Sequence, residues 1–407
     1  MPQITARSAA SLRRARFAEF ALAIGGFAIG TGEFAAMGFL PGVASGLGVT
    51  IPEAGRSISA YALGVVVGAP LIAVLGAKLS RRTLLLALMT LFAAGNLASA
   101  AAPSFLSLLA LRFMSGLPHG AYFGVAALVA AGMAGPEGRA RAVGRVMLGL
   151  TTATLIGTPV ATWTGQTLGW RAAFAVVGSL AFITLALVAV YVPRDKPERG
   201  AGPLRELSAL KKPQVWLTLG TAAVGFGGMF AVLSYITPTL IHVAGIRASL
   251  VPLVLTLFGA GMVTGNIVGP RFADRALLLT IGVAILWTSG VLAFFSVAVH
   301  NPWTASLAAF LVGTSFAAGP ALQTRLMDVG KEAQTLSAAL MHSAFNMANA
   351  LGAWLGGVII AAGYGWASTG FLGAILALAG FGVFSISIGL ERAERRAAAR
   401  SFVRSAV

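Results

Sequence analysis

The sequence contains two stretches that resemble each other and indicate the fold. The segment "GAPLIAVLGAKLSRRTLLL", residues 68–86, matches "GMVTGNIVGPRFADRALLL", residues 261–279, which lies 193 residues further along the chain. The alignment superposes three pairs of residues: Gly68 with Gly261, Gly76 with Gly269, and Arg82 with Arg275. A duplication of this kind predicts two copies of one helical unit, arranged as an internal structural repeat.

The amino-acid composition predicts that both copies of the helical unit lie in a lipid bilayer. Hydrophobic residues make up 57% of the 407 positions and charged residues only 10%, whereas a soluble domain has about 45–50% and about 25%. Apolar runs of at least the ~20 residues that a membrane-spanning helix needs recur along the chain. They predict twelve spans: 18–40, 54–76, 83–102, 105–130, 142–165, 171–193, 215–240, 250–272, 276–299, 303–325, 334–360 and 366–389. Membrane barrels have short alternating segments instead.

One long polar stretch divides these spans into six and six. It contains "RDKPERGAGPLRELSALKKP" and lies between residues 189 and 216. We therefore predict a first six-helix bundle at 1–193, a cytoplasmic linker loop at 194–214, and a second bundle with a basic tail at 215–407. The predicted fold class is an all-α membrane protein with twelve transmembrane helices in two six-helix bundles.

The positive charge follows the predicted topology. The net charge is +17, from 29 Lys and Arg against 12 Asp and Glu. All but four of the basic residues lie in the N-terminus, in alternate loops or in the C-terminus; the exceptions are Arg56, Arg171, Arg247 and Arg112. This asymmetry follows the positive-inside rule and predicts that both termini and the linker are cytoplasmic. Topology and anionic lipid headgroups account for the basicity without nucleic acid.

Motifs of enzymes and of ATP-driven pumps are missing from the sequence. There is no cysteine, and the four histidines lack metal-ligand spacing. Neither a P-loop, a dinucleotide fingerprint nor a G-x-S-x-G motif occurs. We predict a protein that is not an enzyme and has no cofactor or metal. Any pumping would then draw on an ion gradient.

Four motifs carry a resemblance to a known family. They are "GAKLSRR" (Gly76, Arg81, Arg82), "GPRFADR" (Gly269, Asp274, Arg275), "LRFMSGLPHGAYFG" (Arg112, Gly116, Gly120, Gly124) and "GLTTATLIGTPVATWTG" (Gly149, Gly157, Pro159, Gly165). Over nearly its full length the chain resembles the major facilitator superfamily, in particular the twelve-helix drug:proton antiporter branch. It is most similar to the sugar-efflux and arabinose-efflux-type permeases.

The resemblance implies roles for these motifs. The first two would form a charged cytoplasmic latch, although the first copy lacks the family's aspartate and only the second keeps it, as Asp274. The fifth-helix motif marks exporters in the family. The alternatives are ordinary loop charge for the basic residues and plain helix packing for the glycines, since glycines at turn spacing let helices approach closely.

Polar residues inside spans are candidates for function. Glu33 is the only charge in "FAIGTGEFAAMGFLP", residues 27–41, and a carboxylate in lipid must protonate, pair or face water. Arg112 lies at a matching depth in the fourth span, so that a Glu33–Arg112 pair is possible, and His119 follows on the same face. We predict that these three residues handle protons. Alternatively, Arg112 braces backbone carbonyls and His119 is a satisfied core residue.

The second half supplies neutral polar candidates. His342, Asn346 and Asn349 share one face of the eleventh span. With the three residues of the first half they would line a substrate cavity, to which we add Tyr235, Thr237, Asn266 and Gln323, and the apolar Phe226, Met229, Phe230 and Phe345. The asparagines could instead serve interhelical hydrogen bonding. Arg112 is the one buried basic residue expected, which disfavours a multivalent anion as substrate.

The sequence thus predicts a monomeric exporter in the cytoplasmic (inner) membrane. It would move a small organic solute, drug-like or sugar-like, by proton antiport and alternating access about a site near the midplane. Two alternatives stay open: a proton-coupled uptake symporter, and a transporter-like sensor that binds without transporting. The expected partners are substrate, protons and the lipid bilayer.

Overall fold

Twelve long helices form the structure, a computed structural model that describes residues 9–76, 79–134, 139–195, 211–330 and 334–405. Within these ranges the chain is helical with short connections, and twelve helices are long and apolar enough to span a membrane. We number them α1 to α12: Arg13–Gly38, Ile51–Ile72, Arg81–Ala100, Phe105–Ala134, Gly144–Thr167, Trp170–Tyr191, Pro213–Ser234, Ala248–Ala273, Arg275–Ala298, Pro302–Val329, Leu340–Tyr364 and Ser368–Glu394. Each overlaps one predicted span, so that prediction is confirmed.

Several spans are built from more than one helical segment. In α4 the helix stops at Gly116 and restarts at Pro118, because proline cannot donate the backbone hydrogen bond of a continuous helix. In α5 a π-helical turn, Ala153–Gly157, precedes the buried Pro159. The helical segments are Ala9–Gly38, Leu40–Leu47, Ile51–Leu75, Arg81–Ala100, Phe105–Gly116, Pro118–Ala134, Arg139–Thr152, Ala153–Gly157, Thr158–Thr167, Trp170–Tyr191, Pro213–Gly225, Gly227–Ser234, Ile236–His242, Ala248–Leu250, Val251–Ala298, Pro302–Thr314, Ser315–Ala317, Ala318–Val329, Gln334–Ile359, Ile360–Tyr364 and Ser368–Ser405.

Matching backbone contacts recur in the two halves, but they are offset by 197 residues, so that Gly64 and not Gly68 corresponds to Gly261, one helical turn away from the sequence alignment. In the first half, a Cβ added to Gly64 of α2 would lie 2.1 Å from the carbonyl oxygen of Phe113 in α4. In the second half, a Cβ on Gly261 of α8 would lie 2.0 Å from the carbonyl oxygen of Phe310 in α10. The glycines therefore let the two helices of each pair touch through their backbones, and the packing alternative accounts for them.

The two bundles meet at one end of the molecule. We call the end where α1 terminates the Gly38 side, and the opposite end the Arg13 side. A single apolar core joins both bundles on the Gly38 side through Phe34, Leu233 and Phe258, and it continues through the second bundle to Leu326 and Met341 toward the Arg13 side. A second core belongs to α1–α6 alone and extends toward the Arg13 side.

Hydrogen bonds between the bundles follow the same division. Among the described residues on the Gly38 side, three cross the interface: Ser59 to the Ala350 carbonyl at 3.1 Å, Thr237 to the Gly38 carbonyl at 3.1 Å, and Asn349 to Glu33 at 3.5 Å. Toward the Arg13 side, a Cβ added to Gly124 of α4 would meet nothing within 4 Å. The bundles are thus joined at the Gly38 side. Most of the linker expected at 194–214 lies outside the described residues.

Candidate functional site

Glu33 lies at the interface between the bundles, with a polar neighbour on each. Its carboxylate is buried, with 5% of the residue exposed. One oxygen, Oε2, is 4.0 Å from Nε2 of His119 in α4, and the other, Oε1, accepts a 3.5 Å hydrogen bond from Nδ2 of Asn349 in α11. The lone acid of the apolar stretch therefore connects the first bundle to the second.

Arg112 is fully buried beside this site and hydrogen-bonds to a backbone carbonyl and not to the carboxylate. Its Nη2 donates to the carbonyl of Gly32 at 3.1 Å, and the guanidinium carbon lies 4.3 Å from the ring centre of Tyr61. A direct Glu33–Arg112 ion pair, with nitrogen and oxygen within 4.0 Å, is not formed between these two described residues. The guanidinium of Arg112 therefore braces a backbone carbonyl, that of Gly32, as the alternative stated above predicts. Its positive charge lies next to the residue that precedes Glu33 in the chain.

His119 joins Glu33 to a residue that the sequence analysis did not single out. Its Nδ1 lies 3.1 Å from the hydroxyl of Tyr61 in α2, and both side chains are buried. Glu33, His119 and Tyr61 therefore lie in a row, with a hydrogen-bonding distance between Tyr61 and His119 and a longer separation of 4.0 Å between His119 and Glu33. A tyrosine in an apolar span is common, so only the partners revealed by the fold distinguish Tyr61.

Two histidines from opposite bundles approach each other next to this row. The ring centres of His119 and His342 are 6.1 Å apart, and the ring of Phe123 stacks on His342 at 5.2 Å. The two helices are in contact at this point, since a Cβ added to Gly120 would lie 3.9 Å from the Cβ of His342, an ordinary van der Waals distance. The predicted polar faces of α4 and α11 are therefore brought together.

The asparagines of α11 have acceptor atoms to spare. Asn346 donates through Nδ2 to the carbonyl of His342 on its own helix, at 3.1 Å. The Oδ1 atoms of Asn346 and Asn349 are buried and have no hydrogen-bond partner among the described residues, and the same holds for Nε and Nη1 of Arg112. Buried polar atoms without partners are uncommon and point to a function. The asparagine oxygens are acceptors and the Arg112 nitrogens are donors.

The other predicted cavity residues are not brought to Glu33. Tyr235 donates its hydroxyl to the carbonyl of Ala353 at 2.7 Å, and Thr237 bonds Gly38, so both join helices on the Gly38 side. Asn266 and Gln323 are half-buried in α8 and α10 and form no hydrogen bond with the described residues. A polar residue inside a span looks the same in sequence whichever face it occupies, so this distinction needed the fold.

A second buried arginine corrects the expectation that Arg112 is the only one. Arg325, near the end of α10 on the Arg13 side, is 8% exposed. Its Nη2 donates to Oε2 of Glu391 in α12 at 2.5 Å. Because that carboxylate already neutralises it, Arg325 adds no unpaired positive charge to the Glu33 site.

Aromatic side chains close the interface next to the polar cluster. Phe34 of α1 stacks on Phe230 of α7 with 6.4 Å between ring centres. Beside them a cavity of only about 10 Å³ remains between the bundles, which holds at most one water. Phe226 packs edge-on against Phe345 at 4.9 Å. The conformation is therefore closed around the Gly38 side of Glu33.

The motif after α2 uses a different acid from the one the family pattern would supply. The backbone N–H groups of Arg81 and Arg82, at the start of α3, donate to the carboxylate of Asp195 at 3.0 and 3.2 Å. Arg82 also donates to the carbonyl of Ala189. Asp195, which follows α6, thus neutralises the start of α3, where the first motif has no aspartate. Gly76 is buried, and residues 77–78 lie outside the description.

The remaining motif residues are mostly packing positions. A Cβ on Gly269 would lie 2.2 Å from the Ala317 carbonyl, and one on Gly149 would lie 2.0 Å from the Ala23 carbonyl. Gly157 ends the π-helical turn in α5 and faces Thr31. Arg275 is exposed, and the side chain of Asp274 lies outside the described part of the chain. The predicted latch at Asp274 therefore stays a prediction.

Twelve membrane-spanning helices in two bundles, with a buried acid between them, define a membrane transporter. The family model of the Major Facilitator Superfamily matches residues 22–341, and the chain belongs to that superfamily. The inner membrane transport protein YdhP of Escherichia coli strain K12 is 40% identical over 88% of this chain and 92% of its own length. The probable sugar efflux transporter of Pasteurella multocida is 29% identical, over 91% of each chain.

A solved structure shows the same fold. The crystal structure of a mutant of the nucleoside transporter NupG superposes with a TM-score of 0.70 at 14% sequence identity. The match covers 91% of this chain and 99% of that one. At this level of identity the likeness concerns the fold alone.

Proposed function

We propose that the protein exports a small uncharged organic solute in exchange for protons, by rocking its two bundles about the Glu33 site. The bundles that move would be residues 1–193 and 215–407, joined by the linker 194–214. The observation that carries the proposal is the position of Glu33, whose carboxylate faces His119 of one bundle and Asn349 of the other. Binding of a proton to the Glu33 carboxylate would therefore change the contact between the two bundles that move.

The proton changes the contact in a defined way. As a carboxylate, Glu33 accepts the hydrogen bond of Asn349, and a hydrogen bond to a charged group is stronger than one between neutral groups. Protonation removes the charge and turns one oxygen into a donor. The attraction of Asn349 then weakens, because it faces a neutral acceptor, and so does one of the three hydrogen bonds that cross the interface on the Gly38 side.

The chain of groups behind Glu33 gives the proton a route. His119 lies between the carboxylate and the Tyr61 hydroxyl, and each imidazole nitrogen faces one of them. A neutral imidazole holds one proton and accepts another, so it can pass a proton between its two neighbours. Arg112 keeps a positive charge beside this route through its bond to Gly32.

The solute that fits the site is uncharged and carries hydroxyl or amide groups. The spare acceptors of Asn346 and Asn349 and the spare donors of Arg112 could bind such groups. Phe226, Phe230 and Phe345 would contact its apolar surface. A charged solute would need an additional residue of opposite charge, because Glu33 and Arg112 already take part in the proposed proton cycle.

Export is the direction that the charge pattern and one relative support. The positive-inside rule makes the Arg13 side cytoplasmic, with both termini on that side. The site is then closed to the outside in this conformation and would load from the cytoplasm. The Pasteurella relative is named for efflux of sugar, and a sugar has the hydroxyl groups that the spare polar atoms would bind.

Transport in liposomes tests the proposal. Purified protein would be reconstituted, a pH gradient imposed, and a panel of labelled sugars and uncharged aromatic antibiotics screened for movement against the proton flow. We expect accumulation that collapses when a protonophore removes the gradient. Movement in the same direction as the protons would identify an uptake symporter, and binding without movement would identify a sensor. Either result would overturn the proposal.

A further inference from the structure

A large cavity lies outside the Glu33 site, between α1 and α5. This α1–α5 groove runs from Arg16 to Phe27 on α1 and from Arg145 to Thr152 on α5, with a volume of about 600 Å³. Ligand sites in proteins are typically about 300–1,000 Å³. The groove is therefore large enough for a ligand, and the proton-coupling residues do not line it.

The length of the groove matches one leaflet of a bilayer. The helix rises about 16 Å from Arg16 to Phe27 at ~1.5 Å per residue, which is about half of the ~30 Å hydrocarbon core. The polar end is at the Arg13 side, where α1 and α5 begin, and the apolar end reaches the middle of the helices. In the orientation of the proposed function this places the groove in the cytoplasmic leaflet.

The walls of the groove are apolar and open to the surroundings. Phe20 and Leu148 are 57% and 58% exposed, so their side chains are not covered by the rest of the described chain. Gly149 holds the two helices together at the floor, because its Cα touches the backbone of Ala23 without an intervening side chain. The groove therefore has apolar side chains on both walls, which suits an acyl chain.

The entrance of the groove carries a net positive charge. The buried carboxylate of Glu19 accepts two hydrogen bonds from Arg145, at 2.6 Å from Nε and 3.0 Å from Nη2. Arg145 remains half-exposed, and its Nη1 has no partner among the described residues. Arg16 is exposed beside it. Two guanidinium groups against one carboxylate leave one positive charge, which complements the single negative charge of a phosphodiester.

We propose that the α1–α5 groove binds one anionic phospholipid of the cytoplasmic leaflet. The phosphodiester would bind Arg16 and the free edge of the Arg145 guanidinium, whose planar donors suit phosphate oxygens. One acyl chain would lie between Phe20 and Leu148 toward the membrane centre. Glu19 would hold the Arg145 side chain in place for this contact.

Lipid retention during purification tests this proposal separately from transport. The protein would be extracted from bilayers of equal phosphatidylglycerol and phosphatidylcholine, and its bound lipids counted by mass spectrometry. We expect about one phosphatidylglycerol per chain and far less phosphatidylcholine. Arg16→Gln should lower phosphatidylglycerol retention about fivefold, since one basic side chain near the surface contributes ~1 kcal/mol. Leu148→Trp should exclude the acyl chain and abolish retention.

Matched variants make the result specific. Arg14→Gln removes the same charge from an exposed position of the same helix turn that does not line the groove, and Leu378→Trp adds the same bulk to an exposed face of α12. Both should retain lipid as the parent does. Equal retention of the two lipids, or equal effects of Arg16→Gln and Arg14→Gln, would overturn the proposal. Neither outcome depends on whether the protein pumps protons.

Discussion

The carboxylate of Glu33 and the amide of Asn349 meet across the interface between the two bundles, with 3.5 Å between Oε1 and Nδ2. Among the described residues, neither side chain has an equivalent partner within its own helix. In the conformation described here, the contact joins the two bundles on the Gly38 side, where they are closed. Under the proposed function, a proton on Glu33 would influence the conformation through this contact with Asn349.

Replacing Glu33 with glutamine should uncouple transport from the pH gradient. The amide imitates the protonated acid, so the variant should fold and reach the membrane. We expect gradient-driven accumulation to fall to the level of empty liposomes, while solute exchange without a gradient persists and no longer varies with pH. In the parent, exchange should change as pH falls and Glu33 takes up its proton.

A matched control for Glu33 lies in α2. Glu53→Gln alters a carboxylate that caps its own helix by bonding Thr50 at 2.9 Å on the Gly38 side, and it should pump as the parent does. If Glu33→Gln accumulates solute as well as the parent, Glu33 is a structural residue. His119, His342 or Asp328 would then be the next candidates for proton coupling.

Replacing Asn349 with alanine should shift the equilibrium away from the conformation described here. The lost hydrogen bond is worth about 0.5–1.5 kcal/mol, which is a change of roughly two- to tenfold in the ratio of the two states. Distances between spin labels on the Gly38 ends of α1 and α7 should lengthen accordingly. Asn346→Ala is the control, because that amide bonds its own helix. Identical distance distributions for all three proteins would contradict the role of Asn349.

Replacing Tyr61 with phenylalanine should slow the proton step and leave the fold intact. The ring under the Arg112 guanidinium remains, whereas the 3.1 Å contact to Nδ1 of His119 is lost. We expect gradient-driven transport to fall by roughly two- to tenfold, in line with about 1 kcal/mol for one hydrogen bond, with unchanged solute binding. Tyr122→Phe, which removes a hydroxyl bonded to the Leu22 carbonyl, should not change the proton dependence.

Replacing Asp195 with alanine should destabilise the start of α3. The carboxylate accepts the backbone N–H groups of Arg81 and Arg82, and loss of a helix cap typically removes about 0.5–2 kcal/mol. The apparent melting temperature in detergent should fall by a few degrees. Asp195→Asn keeps an acceptor oxygen and should fall less. Equal melting of alanine variant and parent would show that the cap is dispensable.

The orientation of the chain in the membrane can be read with compartment-specific reporters. Fusions at Gly200 and Val407 should report the cytoplasm, and a fusion at Pro103, in the turn between α3 and α4, should report the outside. The reason is the concentration of Lys and Arg on one side. An external signal from Gly200 or Val407 would reverse the topology, and with it the direction and the leaflet proposed above.

The sequence predicts the fold well because lipid imposes strong constraints. Each apolar run must be a helix of about membrane thickness, and all twelve spans are found. The duplication was visible because glycines recur in both halves, although the equivalent backbone contacts of Gly64 and Gly261 are offset by 197 residues and not by the 193 of the alignment. These are properties of single helices or of neighbouring pairs, which a sequence can record.

The contacts of the site are harder to predict because they join distant segments. Glu33, His119 and Asn349 stand out as polar residues in apolar runs, and the structure brings them together. The acceptor of Arg112 is a backbone carbonyl, that of Gly32, and carbonyls have no signature in a sequence. Asp195 could not be foreseen at the start of α3, because the linking contact spans 114 residues.

The backbone contact between α2 and α4 has a mechanical consequence. Where Gly64 meets Phe113 and Gly116 meets Tyr61, no side chain lies between the two helices that could yield. We therefore expect a tilt of α4 to carry α2 with it, so that Tyr61, Arg112 and His119 would keep their mutual distances in the proposed motion. Relative to Glu33, α11 belongs to the other bundle, so that a displacement of that bundle would act on the hydrogen bond between Asn349 and Glu33.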